Sequence, residues 1–153
     1  KTAFNNWTSD DRVTKYMRYN SHTSIDDTIG WLRFDEEAEN SDKQYDWGFI
    51  DKETGTLFGS GGLVWKDDEQ MYEIGYNSMF DYWNKGFTTE IAAAILDFAK
   101  NTLKQTKVYG CHAVENVNSG KVMIKNGFVP TGYATVTNFD GTTKKARTYI
   151  LNF

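Results

Sequence analysis

Between Met71 and Lys104 the chain changes its hydrophobic period. Met71-Tyr-Glu-Ile-Gly-Tyr-Asn-Ser-Met79 reads as a strand, with Glu73 and Gly75 on the face opposite Tyr72, Ile74 and Tyr76. Tyr82-Trp-Asn-Lys-Gly-Phe-Thr-Thr-Glu90 reads as a polar turn centred on Gly86, after which Ile91, Ile95, Phe98 and Ala99 recur at helical spacing. A strand, a short glycine turn and a helix start leave free backbone N–H groups at the positive end of a helix dipole. Such an end binds anions, most often phosphate. Gly86 permits a backbone shape strained for other residues and lets a ligand approach the main chain. Lys85 adds positive charge. The plain alternative is an ordinary connection, in which Thr88 or Thr89 caps the helix.

The flanking segments place this unit in a layered fold. Thr8-Ser-Asp-Asp11 and Ser24-Ile-Asp-Asp27 are helix-start signals, followed by Val13, Tyr16 and Met17 and by Ile25, Ile29 and Leu32. The acidic stretch Asp35 to Glu39 reads as a solvated helix face. Tyr45–Ile50 and Leu57–Trp65 read as strands around a turn at Gly55, the second holding Gly59, Gly61 and Gly62. After the central helix, Thr106–Ala113 is a strand, Val117–Asn126 a short helix closed by Gly127, and Gly132–Phe139 with Lys145–Leu151 a hairpin around Asp140-Gly141. The order is two helices, three strands, helix, strand, helix, two strands. That predicts a single α/β domain over residues 1–153, one mixed, mostly antiparallel sheet flanked by helices.

Composition removes several functions. A net charge of −4 and a pI near 5.2 argue against a nucleic-acid partner. No apolar run reaches the roughly 20 residues that span a bilayer, so no membrane partner is expected. Cys111 is the single cysteine, which excludes an internal disulfide and points to a reducing cytoplasm. It reads as a buried strand cysteine rather than a nucleophile. His22 and His112 are too far apart for a ligand motif, so no metal is expected. Further along, Asn116 sits where a strand meets a helix and Ser119 follows about one turn later. They are caps, or an amide and a hydroxyl offered to a ligand.

Glu73-Ile-Gly-Tyr76, the turn Tyr82–Glu90, Asn116-x-x-Ser119 and Lys125-Asn-Gly-Phe128 together resemble the GNAT superfamily of N-acetyltransferases. Within it, the likeness is nearest to the branch of Rim-type ribosomal-protein N-terminal acetyltransferases. It covers roughly Tyr45 to Phe153, and Thr8–Leu32 fits the two helices that border the family's acceptor site. The resemblance implies that Asn84, Lys85, Gly86, Phe87, Thr88 and Thr89 wrap the diphosphate of acetyl-CoA. It implies that Ile74, Gly75, Tyr76 and Asn77 pair with the pantetheine arm, and that Asn116 and Ser119 also contact it. Trp83 and Thr88 depart from the family's loop pattern. The family's first strand has no counterpart here, where seven residues precede the first helix signal.

The implied reaction is direct attack of a primary amine, on a protein N-terminus or a small molecule, upon the thioester. A backbone N–H near Tyr76 or Asn77 would hold the oxyanion. An α-amine titrates near 7.7–8.0 and is partly neutral already, whereas a lysine amine must give up roughly 4 kcal/mol to lose its proton. Glu73 is the candidate base. The family's usual proton-donating Tyr falls on Met123, which cannot donate, and Ser119 takes that role. Trp31, Tyr16 and Tyr19 could line an acceptor groove. A homodimer is a possible assembly, and a catalytically silent acyl-CoA-binding protein is the alternative function. A nucleotide-binding protein ranks last, because no Walker-type sequence is present.

Overall fold

The computed structural model describes residues 1–38 and 41–153, so Glu39, at the end of the acidic stretch, lies outside them. Six strands form one sheet in the order β1-β2-β3-β4-β6-β5. They are β1 (Gln44–Ile50), β2 (Leu57–Lys66), β3 (Met71–Ser78), β4 (Lys107–Ala113), β5 (Val129–Thr137) and β6 (Thr143–Asn152). The helices are α1 (Asp11–Thr14), α2 (Ile25–Ala38), α3 (Phe87–Asn101) and α4 (Val117–Lys125), after a π-helical turn at Phe4–Thr8. Every strand pair is antiparallel except β3 with β4. The expected element order holds, with boundaries moved by one to three residues in the sheet and at α3.

The N-terminal segment differs more. The expected helix over Thr8–Met17 shrinks to one turn, because Thr8 is fully buried and its hydroxyl is hydrogen-bonded to that of Thr28 at 2.9 Å. Asp10 caps α1 instead, accepting from the Arg12 N–H at 2.9 Å. The second signal behaves as read. Asp27 accepts from the N–H groups of Thr23 and Ser24, and Ser24 Oγ accepts from the Asp27 N–H, which closes a reciprocal cap on α2.

Two apolar clusters, both touched by Met79, make up the interior. Ala92, Ile95, Leu96 and Ala99 of α3 face Phe58, Leu63, Tyr72, Ile74 and Val108, with Met123 and Phe128 completing the larger one. Each fully buried Leu or Ile there contributes roughly 1.5–3 kcal/mol. Trp7 and Val13 form the smaller cluster with Trp31, Leu57 and Trp83. Leu57 and Phe58 are neighbours on β2 that go to different clusters, at the place where the β1–β2 register shifts between Phe49 and Ile50.

The glycines in β2 have a steric reason. A Cβ on Gly62 would run into the Tyr45 carbonyl oxygen of β1, a backbone atom that cannot swing aside. Gly62→Ala is expected to destabilise the fold by about 1–3 kcal/mol, the usual range for overpacking. Urea unfolding measures it, and an unchanged midpoint would contradict this close approach.

Candidate active site

β3 and β4 pair through two positions, Tyr72 with Val108 and Glu73 with Tyr109. Past Glu73 the parallel ladder stops, while β3 continues to Ser78 and β4 to Ala113. β2 occupies the other edge of β3 throughout this stretch. The edge of β3 from Ile74 onward therefore presents N–H and C=O groups with no strand opposite them. Unpaired backbone of this kind needs a partner, from water or from a ligand. Where the strands part, Met123 and Phe128 come up against Gly110, on which a Cβ would stand 3.1 Å from the Met123 sulfur.

The gap opens into a cavity of about 480 Å³ lined from both arms of the split. Glu73, Ile74, Gly75, Tyr76 and Asn77 of β3 line it, as do Asn84, Gly86, Thr88 and Thr89 before and within the first turn of α3. Asn116 and Ser119 line the wall that α4 provides. Eleven residues singled out from sequence thus meet in one place. Lys85 and Phe87 do not line it. Lys85 lies 6.0 Å above the Tyr82 ring, and the Phe87 ring packs on Phe58 and Tyr82.

Three features of this wall suit an anionic ligand with an amide-bearing arm. Gly86 sits at the N-cap of α3 with φ of 91° and no side chain capping the helix, so the N–H groups of Phe87 and Thr88 have no carbonyl behind them. Gly75 and Gly86 both leave open space where a Cβ would stand. Asn77 has a buried side-chain oxygen without a hydrogen-bond partner. Across the gap, Asn116 Oδ1 caps α4 by accepting from the Ser119 N–H at 3.3 Å, which leaves its amide nitrogen to donate.

The polar side chains at the floor are ordered by one another. The Tyr76 hydroxyl reaches across the split to Ser119 Oγ at 3.3 Å. Burial pushes the Tyr76 phenol up to about 12, so it keeps its proton at neutral pH. Sequence reasoning placed Tyr76 as a backbone contact and missed this hydroxyl, because a pair 43 residues apart has no local signal. Met123 is 2% exposed and belongs to the core. Both ring nitrogens of His112 are engaged, with the Ala113 carbonyl at 2.7 Å and the Tyr149 hydroxyl at 3.0 Å. Among the described residues no cluster of three potential metal ligands occurs.

Cys111 corrects an expectation. It lies on β4 but half-buried on the cavity wall, not in the core. Tyr109 is registered against Glu73, and Cys111 is two residues further on the same face, so its thiol donates to Glu73 Oε1 at 2.9 Å. Lys66 Nζ stands 3.7 Å from the other carboxylate oxygen. Burial first, and then the Glu73 charge, push the thiol pKa well up.

The far end of the cavity comes from elements that carried no readable motif. Tyr16, Met17 and Arg18 follow α1, and Val136 and Lys144 come from the β5–β6 hairpin. Tyr16 therefore lines the cavity as expected. Tyr19 lines an adjoining hollow, and Trp31 stacks between Tyr19 and the small apolar cluster. Lys144 Nζ donates to the Met17 carbonyl at 2.6 Å, Arg18 Nε to the Thr137 carbonyl at 3.1 Å, and the Phe139 N–H to the Arg18 carbonyl at 2.8 Å. These bonds staple the loop to the hairpin.

A family model for an acetyltransferase (GNAT) domain matches residues 1–129, ending where β5 begins. The uncharacterised N-acetyltransferase YoaA of Bacillus subtilis (strain 168) is 23% identical over 125 residues, covering 81% of this chain and 71% of that one. An acetyltransferase (GNAT family) structure from Bacillus anthracis superposes with a TM-score of 0.80 at 24% identity, over 95% of this chain and 84% of the other. A spermidine N-acetyltransferase from Vibrio cholerae, solved with CoA and spermine, gives 0.77 at 18% identity over 97% and 86%. No helix of the described residues is long and apolar enough to cross a membrane.

The Cys111–Glu73 contact is testable without any ligand. Iodoacetamide should alkylate Cys111 several-fold more slowly than a free thiol at pH 8, since the thiolate is the reactive form. Glu73→Gln should speed it by removing the negative charge, and equal rates in the two proteins would refute the contact.

Proposed function

The chain belongs to the GNAT acetyltransferase family and is an acetyl-CoA-dependent N-acetyltransferase, and from that premise we propose that the split between β3 and β4 is where acetyl-CoA meets a primary amine. The observation that carries this reading is the coincidence, in one cavity, of the free β3 edge and the uncapped N-terminus of α3. Acetyl-CoA supplies the activated acetyl group as a thioester. The residues hold, orient and move protons around it.

The N–H groups from Asn84 to Thr88 take the diphosphate and Thr89 offers its hydroxyl, its own N–H being bonded to the Gly86 carbonyl, with Lys85, Lys121 and Lys125 adding positive charge nearby. Ile74, Gly75, Tyr76 and Asn77 offer their free backbone edge to the amides of the pantetheine arm, as a short added strand would. Asn116 donates its amide nitrogen from the opposite wall. The backbone N–H of Tyr76, which points away from β2 while that of Asn77 points toward it, faces the position where negative charge develops on the acetyl oxygen, a donor commonly worth a few kcal/mol.

Glu73 takes the proton from the acceptor amine, directly or through water, and the Cys111 thiol and Lys66 ammonium hold its two oxygens in place. Ser119 returns a proton to the departing sulfur. The Tyr76 phenol, protonated at neutral pH and 3.3 Å from Ser119 Oγ, restores the hydroxyl's proton. The acceptor is received against the loop after α1 and the β5–β6 hairpin, in the cytoplasm where acetyl-CoA and a reduced Cys111 are both at home.

Gly75→Val separates binding from folding. A Cβ there has open space around it, and Val favours a strand, so melting should change little. The added carbons would fill the slot for the pantetheine arm, and CoA affinity should fall at least about tenfold, a loss near 1.4 kcal/mol. Calorimetry giving the wild-type affinity would remove β3 from the binding site. Ser119→Ala should lower kcat by about 10²-fold with little change in CoA affinity. If affinity falls as much as turnover, Ser119 is a contact and not an acid.

A further inference from the structure

The acceptor end of the cavity carries its own charge pattern. Glu73 is the carboxylate among the lining residues, while Arg18 and Lys144 line the same space as cations. Among the described residues neither cation has a carboxylate within ion-pair distance. Each donates one side-chain hydrogen to a backbone carbonyl, Arg18 to Thr137 and Lys144 to Met17. The arginine fork and the ammonium keep further hydrogens to give. Arg18 also lies 5.2 Å over the Phe139 ring, which fixes its plane.

The two cations are neighbours of each other and of the reacting end. Arg18 counts among the groups that act on the Cys111 thiol, and that thiol is 2.9 Å from Glu73. Lys144 is lowered mainly by burial, with Arg18 adding to it, while Asp140 and Glu115 act in the opposite sense. Neither of those carboxylates lines the cavity, and Asp140 already accepts from Asn20 and Thr142. The chain as a whole is acidic, at −4, yet this end of its cavity has two cations to one anion.

We propose that the acceptor is an amine carrying its own carboxylate a few bonds away, with Glu73 receiving the nitrogen while Arg18 and Lys144 hold the carboxylate. The assignment rests on reading this cavity as the acyl-transfer site. Arginine matches a carboxylate with two parallel donors, so the pair can orient the acceptor as well as attract it. The same cations disfavour the charged ammonium form of the amine, which eases loss of its proton before attack. A polyamine meets the reverse situation. Its second and third ammonium groups would lie beside Arg18 and Lys144, with no second carboxylate lining the cavity to receive them.

The test compares matched acceptors by thiol release from acetyl-CoA: an α-amino acid, the primary amide of that amino acid, and spermidine. A peptide amide beginning with Asp asks whether a side chain can supply the carboxylate. The expected kcat/KM for the acid, or for the Asp peptide, exceeds that of the neutral amide at least about tenfold, with spermidine lowest. Arg18→Met and Lys144→Met should each collapse the acid-to-amide ratio, and Arg18→Lys should keep most of it, a pattern that stapling the loop alone would not produce. Calorimetry of the N-acetyl amino acid gives a readout independent of turnover and works on wild type even where a variant misfolds. It should bind, and bind more tightly than its amide.

Equal use of acid and amide, a preference for spermidine, or equal binding of the two products overturns the proposal. If CoA still raises the melting temperature in those cases, acyl transfer at this site stands. If CoA produces no thermal shift and no amine releases thiol, the underlying reading of the cavity fails instead.

Discussion

The parallel contact between β3 and β4 breaks off after two residue pairs, and the rest of the site depends on that break. A complete ladder would satisfy every backbone group and leave a sheet with no slot in it. Instead β3 stays pinned by β2 along its full length, while β4 is carried off by its pairing with β6 from Lys107 to Ala113. Each arm of the split is thus rigid on its outer side and unpaired on its inner side. Such an edge is preorganised to receive an extended ligand, because the entropy of ordering it is already spent in folding.

Chemistry gathers at the apex of the split for the same reason. Glu73 is the last residue of β3 paired with β4, and its side chain lines the cavity that begins there. Cys111 approaches it diagonally from β4, and Tyr76 spans the widening gap to Ser119 on α4. The loop after α1 and the tip of the β5–β6 hairpin then close the far end, held together by bonds between residues more than a hundred positions apart. One end of the cavity offers backbone donors to an anion and an amide arm, and the other offers side chains of both charges.

What could be read from the sequence is what is local. The strand, glycine turn and helix at Met71–Asn101 are adjacent in the chain, and the turn of helix between Asn116 and Ser119 sets their geometry directly. Gly86 announced its left-handed backbone, and Gly127 did likewise after α4. The Glu73–Cys111 contact was hidden because it depends on a parallel register that no periodicity encodes. Arg18 and Lys144 were hidden because neither sits in a motif, and tertiary stapling brings them together. Thr8 misled as a cap because its hydroxyl serves a buried pair with Thr28.

Amide hydrogen exchange with and without CoA tests the central claim most directly, because the free edge of β3 is a statement about individual N–H groups. On addition of CoA, protection should rise at Tyr76 and Ser78, whose N–H groups face away from β2, and at Phe87 and Thr88, while the β1–β2 ladder stays as it was. Protection confined to other segments, or none despite saturating ligand, would contradict the placement of the coenzyme between β3 and β4.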